Sequence, residues 1–337
     1  MVPTSPAPES APAAPLPRPF LAALGLAGGF MAFVAWDQSH WWRVKEDYTF
    51  GWLVPLFTLY VVHDRWGRIR SRLDEAARAG PGPRWARWTL NALAGTALAV
   101  GALFFLLGAF YRAGAGTSQP GTFALTSGMV AIVAALLFFN VETGRAGAPA
   151  SGGWRALRDD PRLRVATLFL FPVLVWLISA PLVSAVESQV SLFLLRKVVI
   201  VVSVLFELVG LPIEQQGNVL MLPKGPVGVA DACSGIRSLT ACLFAGSFLA
   251  ATFLEQAWKK VFLVAAAMAF AFLTNLLRSL FLTGWAYAHG PDAISGTVHD
   301  AAGYAVLGLT CLGLLVLVPL LNLRIERAPA VGAGDAG

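Results

Sequence analysis

Cys233, within ADACSGIRSL (230–239), stands in a short polar, glycine-containing turn directly before a long apolar run. Arg278 lies alone inside another apolar run, TNLLRSLFL, and His299 stands at the mouth of the last one, in GTVHDAAGY. A thiol, a guanidinium and an imidazole are a nucleophile, an anion stabiliser and a proton carrier, the three parts that thiol acyl transfer requires. A cysteine placed ahead of a helix faces unpaired backbone N–H groups and the positive end of the helix dipole, which favours the thiolate. Gly235 permits close approach of a substrate backbone, and Ser234 has the chemistry of a helix cap. Each residue alone has a plainer reading: a small residue in a turn, an arginine snorkelling to headgroups, a surface histidine. Arg278 resists that reading most, because an ionised side chain within a membrane span is costly unless it is paired or faces a polar cavity. Thr274 and Asn275, at i−4 and i−3, share its helix face and extend a polar stripe into the bundle.

The elements that must position these residues are membrane helices. The 337-residue chain is 57% hydrophobic and 13% charged, with a mean hydropathy of +0.67. A soluble chain clothes itself with roughly 25% charge, so most of this one has lipid as its solvent. The net charge of +6 is therefore no nucleic-acid footprint, since basic residues of membrane proteins gather in cytoplasmic loops. A spanning helix needs about 20 mostly apolar residues. Eight runs qualify or nearly so, at 20–36, 50–63, 88–110, 121–141, 164–183, 237–256, 261–285 and 301–321. The second is short and draws on the aromatic segment before it. The fold expected is an all-α polytopic membrane protein of about eight transmembrane helices. Residues 1–19, rich in Pro, Ala and Ser, read as a disordered tail, 20–322 as a single membrane domain, and 323–337 as a second tail.

Basic residues orient the bundle. Arg65, Arg68, Arg70, Arg72, Arg78, Arg84 and Arg87 follow the second run, and Arg145, Arg155, Arg158, Arg162 and Arg164 the fourth. Lys259 and Lys260 separate the sixth and seventh, and Arg324 and Arg327 follow the last. With Arg18, seventeen of the 25 Lys and Arg fall on one side, which is cytoplasmic, as are both termini. Parity then sets the apolar stretch 190–210, which carries Arg196 and Lys197 near its middle. Its flanking spans both end outside, so it cannot cross once and is expected to be an interfacial or re-entrant helix. Under this topology Cys233, Arg278 and His299 all come to the outer face, and none of them was used to orient it.

Other chemistries find little support. Cys242 and Cys311 sit inside apolar runs as small buried hydrophobes, and no CxxC suggests a redox pair. No metal site, phosphate loop or dinucleotide fingerprint is present in the sequence, so no cofactor is expected. His289 reads as a loop residue beside Gly290 and Pro291. A transporter in which Arg278 binds an anion, and a structural scaffold for polysaccharide export, are the rival classes.

With these residues in view, the chain resembles the exosortase/archaeosortase family of polytopic membrane transpeptidase-like proteases. The likeness is dense in GLPIEQQGNVLMLPKGPVGVADACSGIRSL (210–239), NLLRSLFLTG (275–284) and HDAAGY (299–304). EDYTFGWLVPLFTLYVV (46–62) is similar to an early segment of the family, with Phe50 where a histidine is common. The resemblance implies that Cys233, Arg278 and His299 are the functional set. Beside it, the positions of Asp231 and Asp300 make them candidates to orient His299, and Asn275 supports Arg278 from the same helix face. The resemblance further implies substrates anchored in the same membrane by a C-terminal sorting signal of the PEP-CTERM kind: a short Pro-Glu-Pro-like motif, one hydrophobic helix and a basic cluster. Cleavage at the outer face of the inner membrane, and transfer to a surface glycan or lipid acceptor tied to exopolysaccharide production, complete the expectation.

Overall fold

The computed structural model describes residues 15–80, 82–144, 153–228 and 236–323. Helix α1 (Arg18–Val44) leads through a 3-10 helix (Glu46–Trp52) into α2 (Leu53–Asp64) and the basic amphipathic α3 (Trp66–Arg78). The long hairpin α4 (Arg84–Ala115) and α5 (Gln119–Phe139) follows. A one-turn α6 (Arg155–Arg158) precedes α7 (Pro161–Leu168), α8 (Leu170–Ser179) and α9 (Ser184–Leu208). A three-stranded antiparallel sheet, β1 (Glu214–Gln216), β2 (Val219–Leu222) and β3 (Gly225–Gly228), stands before α10 (Ile236–Phe253) and α11 (Ala257–His289). A 3-10 turn (Pro291–Ile294) then leads to α12 (Thr297–Asn322).

Seven of these helices are long and apolar enough to cross a bilayer, and α7 with α8, bent by 44°, makes an eighth. The chain is an all-α polytopic membrane protein apart from its small sheet. The lipid-solvated character of the composition shows directly in Leu93, Leu103 and Phe110 of α4 and Leu307, Leu312 and Leu315 of α12, all exposed. Where helices meet closely, small residues allow it: a methyl on Gly128 of α5 would fall 2.5 Å from the Phe105 nitrogen of α4, and one on Gly108 would fall 2.7 Å from that of Leu125.

The bend between α7 and α8 follows from Pro172. Its ring nitrogen has no hydrogen to give to the Leu168 carbonyl, four residues earlier, so the helix breaks there. Arg65, 5% exposed at the end of α2, takes that carbonyl with Nη1 (2.6 Å) and the Ala251 carbonyl, in the last turn of α10, with Nη2 (2.7 Å). Both acceptors are orphans of helix geometry. One guanidinium thus ties three segments at one end of the bundle.

The run at 50–63 yields in α2 a helix of 12 residues, about 18 Å and too short to span. Joined to the preceding 3-10 turn, residues 46–64 cover roughly 32 Å. The far end of that stretch is anchored opposite Arg65: the Tyr48 hydroxyl accepts from Leu182 N–H (3.0 Å) and Asp47 meets Arg237 (3.3 Å). The stretch therefore reaches from one end of the bundle to the other in two pieces.

Helix α9 is one uninterrupted helix of 25 residues, without the turn that a re-entrant element would need. Its length and apolarity suffice for a span, but both of its ends are held at the same end of the bundle. Ser184 bonds Gln119 at the start of α5, and Glu187 pairs with Lys45 just past α1 (2.6 Å). At its other end Phe206 packs on Tyr287, in the last turn of α11 (ring centroids 6.2 Å). The side chains between, among them Leu195, Val198 and Val202, close over Leu220, Leu222 and Val227 of the sheet region. Arg196 and Lys197 are exposed.

Candidate active site

Helix α11 carries a buried polar stripe, Thr274, Asn275, Ser279 and Thr283, flanking Arg278 in an otherwise apolar sequence. The stripe is built against α12, where the Thr274 and Thr310 hydroxyls meet at 3.0 Å. Helix α10 is in register with both. A methyl on Gly246 would lie 2.6 Å from Ala267 Cβ, so these two positions face each other. Ten residues back from Gly246 is Ile236, and ten on from Ala267 is Leu277. In antiparallel helices of equal rise, α10 therefore begins level with the turn of α11 that bears Arg278.

The guanidinium of Arg278 crosses to α12, where Nη2 lies 2.7 Å from His299 Nε2. A guanidinium only donates, so Nε2 is the acceptor and the imidazole carries its proton on Nδ1 in this arrangement. The Arg278 side chain passes Gly303, one turn after His299. A methyl there would stand 3.6 Å from Nη2 and 3.8 Å from Cζ. Among the described residues, Arg278 Nε and Ser279 Oγ are buried with no hydrogen-bond partner. An unmet buried donor costs about 1–3 kcal/mol, and Arg278 Nε is such a donor beside the contact with His299.

The structure thus brings Arg278 and His299 into direct contact. Asn275 is buried beside them in sequence. Asp300 is exposed, and among the described residues its carboxylate makes no hydrogen bond or ion pair. Adjacent residues point to different faces of a helix, and the partner that His299 finds is Arg278. Cys233, Ser234, Gly235 and Asp231 lie outside the described residues. His289 stacks on Trp285, with centroids 4.3 Å apart, and Nδ1 lies 3.2 Å from that residue's carbonyl oxygen, away from the pair. Cys242 is buried and Cys311 exposed on the outside of α12.

Two residues that the sequence did not single out, Arg237 and Thr240, also shape this end, together with Phe50. Arg237, in the first turn of α10, pairs with Glu46 and Asp47 of the 3-10 helix, and Thr240 donates to the Asp47 carbonyl (3.2 Å). This anchors the start of α10. Phe50, in the same 3-10 helix, packs on Phe244 of α10 (5.2 Å). Nothing local in EDYTFGW foretells a partner some 190 residues away. The i, i+4 spacing of His299 and Gly303 was a readable signal for Gly303.

Residues 41–316 match the family model described as transmembrane exosortase. The matched region runs from the end of α1 to within α12 and contains Cys233, Arg278 and His299. No curated protein and no solved structure matches the chain significantly.

Proposed function

The chain belongs to the transmembrane exosortase family, and from that premise we propose that it is a membrane cysteine peptidase or transpeptidase that cuts a C-terminal, PEP-CTERM-like sorting signal. Its catalytic residues in this reading are Cys233, Arg278 and His299. The observation that carries the proposal is the 2.7 Å contact between Arg278 Nη2 and His299 Nε2, which joins an anion stabiliser to a proton carrier. Cys233 precedes Ile236 by three residues, a tether of at most about 11 Å, and α10 begins level with Arg278.

The chemistry proceeds in two displacements. The Cys233 sulfur attacks the scissile carbonyl carbon, and its proton passes to His299 Nε2 as Arg278 Nη2 leaves that nitrogen for the developing oxyanion. Arg278 stabilises the oxyanion, for which its Nε, unmet among the described residues, is a further donor. The C–N bond then breaks, His299 returns the proton to the leaving amine, and the acyl group remains on sulfur as a thioester. Water, or an amine or hydroxyl of a surface glycan or lipid acceptor, gives its proton to His299 and displaces the thiolate. A substrate helix anchored in the same bilayer presents its scissile bond at a fixed depth, so the search is two-dimensional.

The proposal includes orientation. The basic loops lie in the cytoplasm with both termini, residues 20–322 form one membrane domain between two tails, and the pair faces the periplasm of the inner membrane. The test is mass spectrometry of surface proteins from cells carrying the wild-type chain or Cys233→Ala. Wild-type cells should show proteins with a newly cut C-terminus, and any mass added there identifies the acceptor. Cys233→Ala should abolish these products while accumulating to the same level. Cut products that persist with Cys233→Ala would end the covalent reading and favour a transport role.

A further inference from the structure

At the end of the bundle remote from Arg278 and His299 lies a cavity of about 550 Å³ whose lining includes Arg72, Arg155, Arg158, Arg164 and a single carboxylate, Asp159. Asp159 pairs with Arg164 at 2.7 Å, and Arg72 with Glu75 at 2.7 Å. Arg155 and Arg158 have no anionic partner among the described residues. Among the described residues the cavity is therefore left with an excess of positive charge.

Two apolar grooves adjoin this cavity, one on each side of the bent α7–α8 segment. One, about 330 Å³, runs between α4, α5 and α8; the other, about 410 Å³, between α8, α10 and α11. Thr167 lines all three spaces, and Leu170 and Leu174 line both grooves. The bend that Pro172 imposes makes this junction. Trp88, at the start of α4, Trp154, beside α6, and Trp258, at the start of α11, are exposed at this same end. Indole rings there mark the depth of a headgroup layer.

A positive cavity at headgroup depth that adjoins two apolar grooves matches one chemistry, an anion carrying two hydrocarbon chains. We propose that this is a binding site for a diacyl anionic phospholipid. Its phosphate lies among Arg155, Arg158 and Arg164, and its chains straddle α7–α8. Free phosphate would use the cavity but has no use for the grooves. The inference is independent of the peptidase reading, since no residue of that reading lines these spaces.

Native mass spectrometry of the full chain in detergent tests it, with equimolar phosphatidylglycerol and phosphatidylcholine of identical chains supplied together. Phosphatidylglycerol should be retained preferentially as one bound molecule. An Arg155→Gln/Arg158→Gln double variant should lose retention by roughly 30-fold, from two charges at about 1 kcal/mol each. Thr167→Trp keeps every charge but fills the junction, and should also lose the lipid. Both changes are at exposed positions, and an unchanged elution profile of each variant verifies its fold. Equal retention of the two lipids, or wild-type retention by either variant, would overturn the proposal. Glycerol phosphate binding as tightly as the intact lipid would reduce the site to one for free anions and overturn it as well.

Discussion

In the proposed mechanism Arg278 has two tasks. Nη2 donates to His299 in the resting site, and Nε, unmet among the described residues, remains for an incoming oxygen. Lysine keeps the charge but offers a single ammonium without the planar fork. Arg278→Lys should therefore lower processing by about 100-fold at matched membrane abundance, as loss of an oxyanion donor does elsewhere. Wild-type processing by this variant would reduce Arg278 to a point charge. Cys233→Ser should be nearly as inactive as Cys233→Ala, because a serine hydroxyl is far less ionised near neutral pH and nothing else in the set would activate it. At this scale the sequence is informative where a residue is chemically out of place. A guanidinium in TNLLRSLFL and an imidazole before an apolar run could each be picked out by eye, and the structure brings them together. Asp300 attracted notice as a carboxylate beside His299, but adjacency along a helix separates side chains rather than joining them. Arg237 escaped notice because a basic residue near a helix end is unremarkable until Glu46 and Asp47 are seen opposite.

Among the elements, the tie between Arg65 and the broken α7–α8 segment makes a quantitative expectation. Arg65→Met leaves the Leu168 and Ala251 carbonyls without donors, and should cost about 3 kcal/mol in reversible unfolding in detergent. Pro172→Ala supplies an N–H four residues after Leu168. The double variant Arg65→Met/Pro172→Ala should therefore regain roughly 1 kcal/mol relative to Arg65→Met alone. Simple additivity of the two changes would show that Arg65 does not serve the proline-orphaned carbonyl. The same region shows what hydropathy misses. Residues 164–183 read as one span because nearly all of their side chains are apolar, while Pro172 in the middle was the signal for the break. The run at 50–63 was visibly short, and its extension through a 3-10 turn is a backbone choice that apolar content does not encode. Helix α9 shows the opposite case: its composition alone would make it a span, and the parity of charged loops assigned it to one face, where its end contacts hold it.

For the molecule in its membrane, the orientation rests on seventeen basic residues, and two exposed serines at opposite ends can check it. In a chain whose three native cysteines are replaced by alanine, a cysteine at Ser188 should react with an impermeant maleimide in intact cells. One at Ser71 should react only after permeabilisation. The reverse pattern would turn the bundle over and put the Arg278–His299 pair in the cytoplasm.

Arg65 also sets an order of assembly. Its two acceptors, Leu168 and Ala251, lie 103 and 186 residues downstream. At a synthesis rate of about 5–20 residues per second, the second acceptor leaves the ribosome roughly 10–40 s after the arginine does. For that interval the guanidinium has at most one of its two acceptors, and the tie between the ends of α2, α7 and α10 cannot close. Chains arrested before Ala251 should accordingly be short-lived in a pulse-chase, and those arrested just after α10 should persist. A protein fastened in this way is held open by the pace of its own translation until the helix that follows Cys233 has been made.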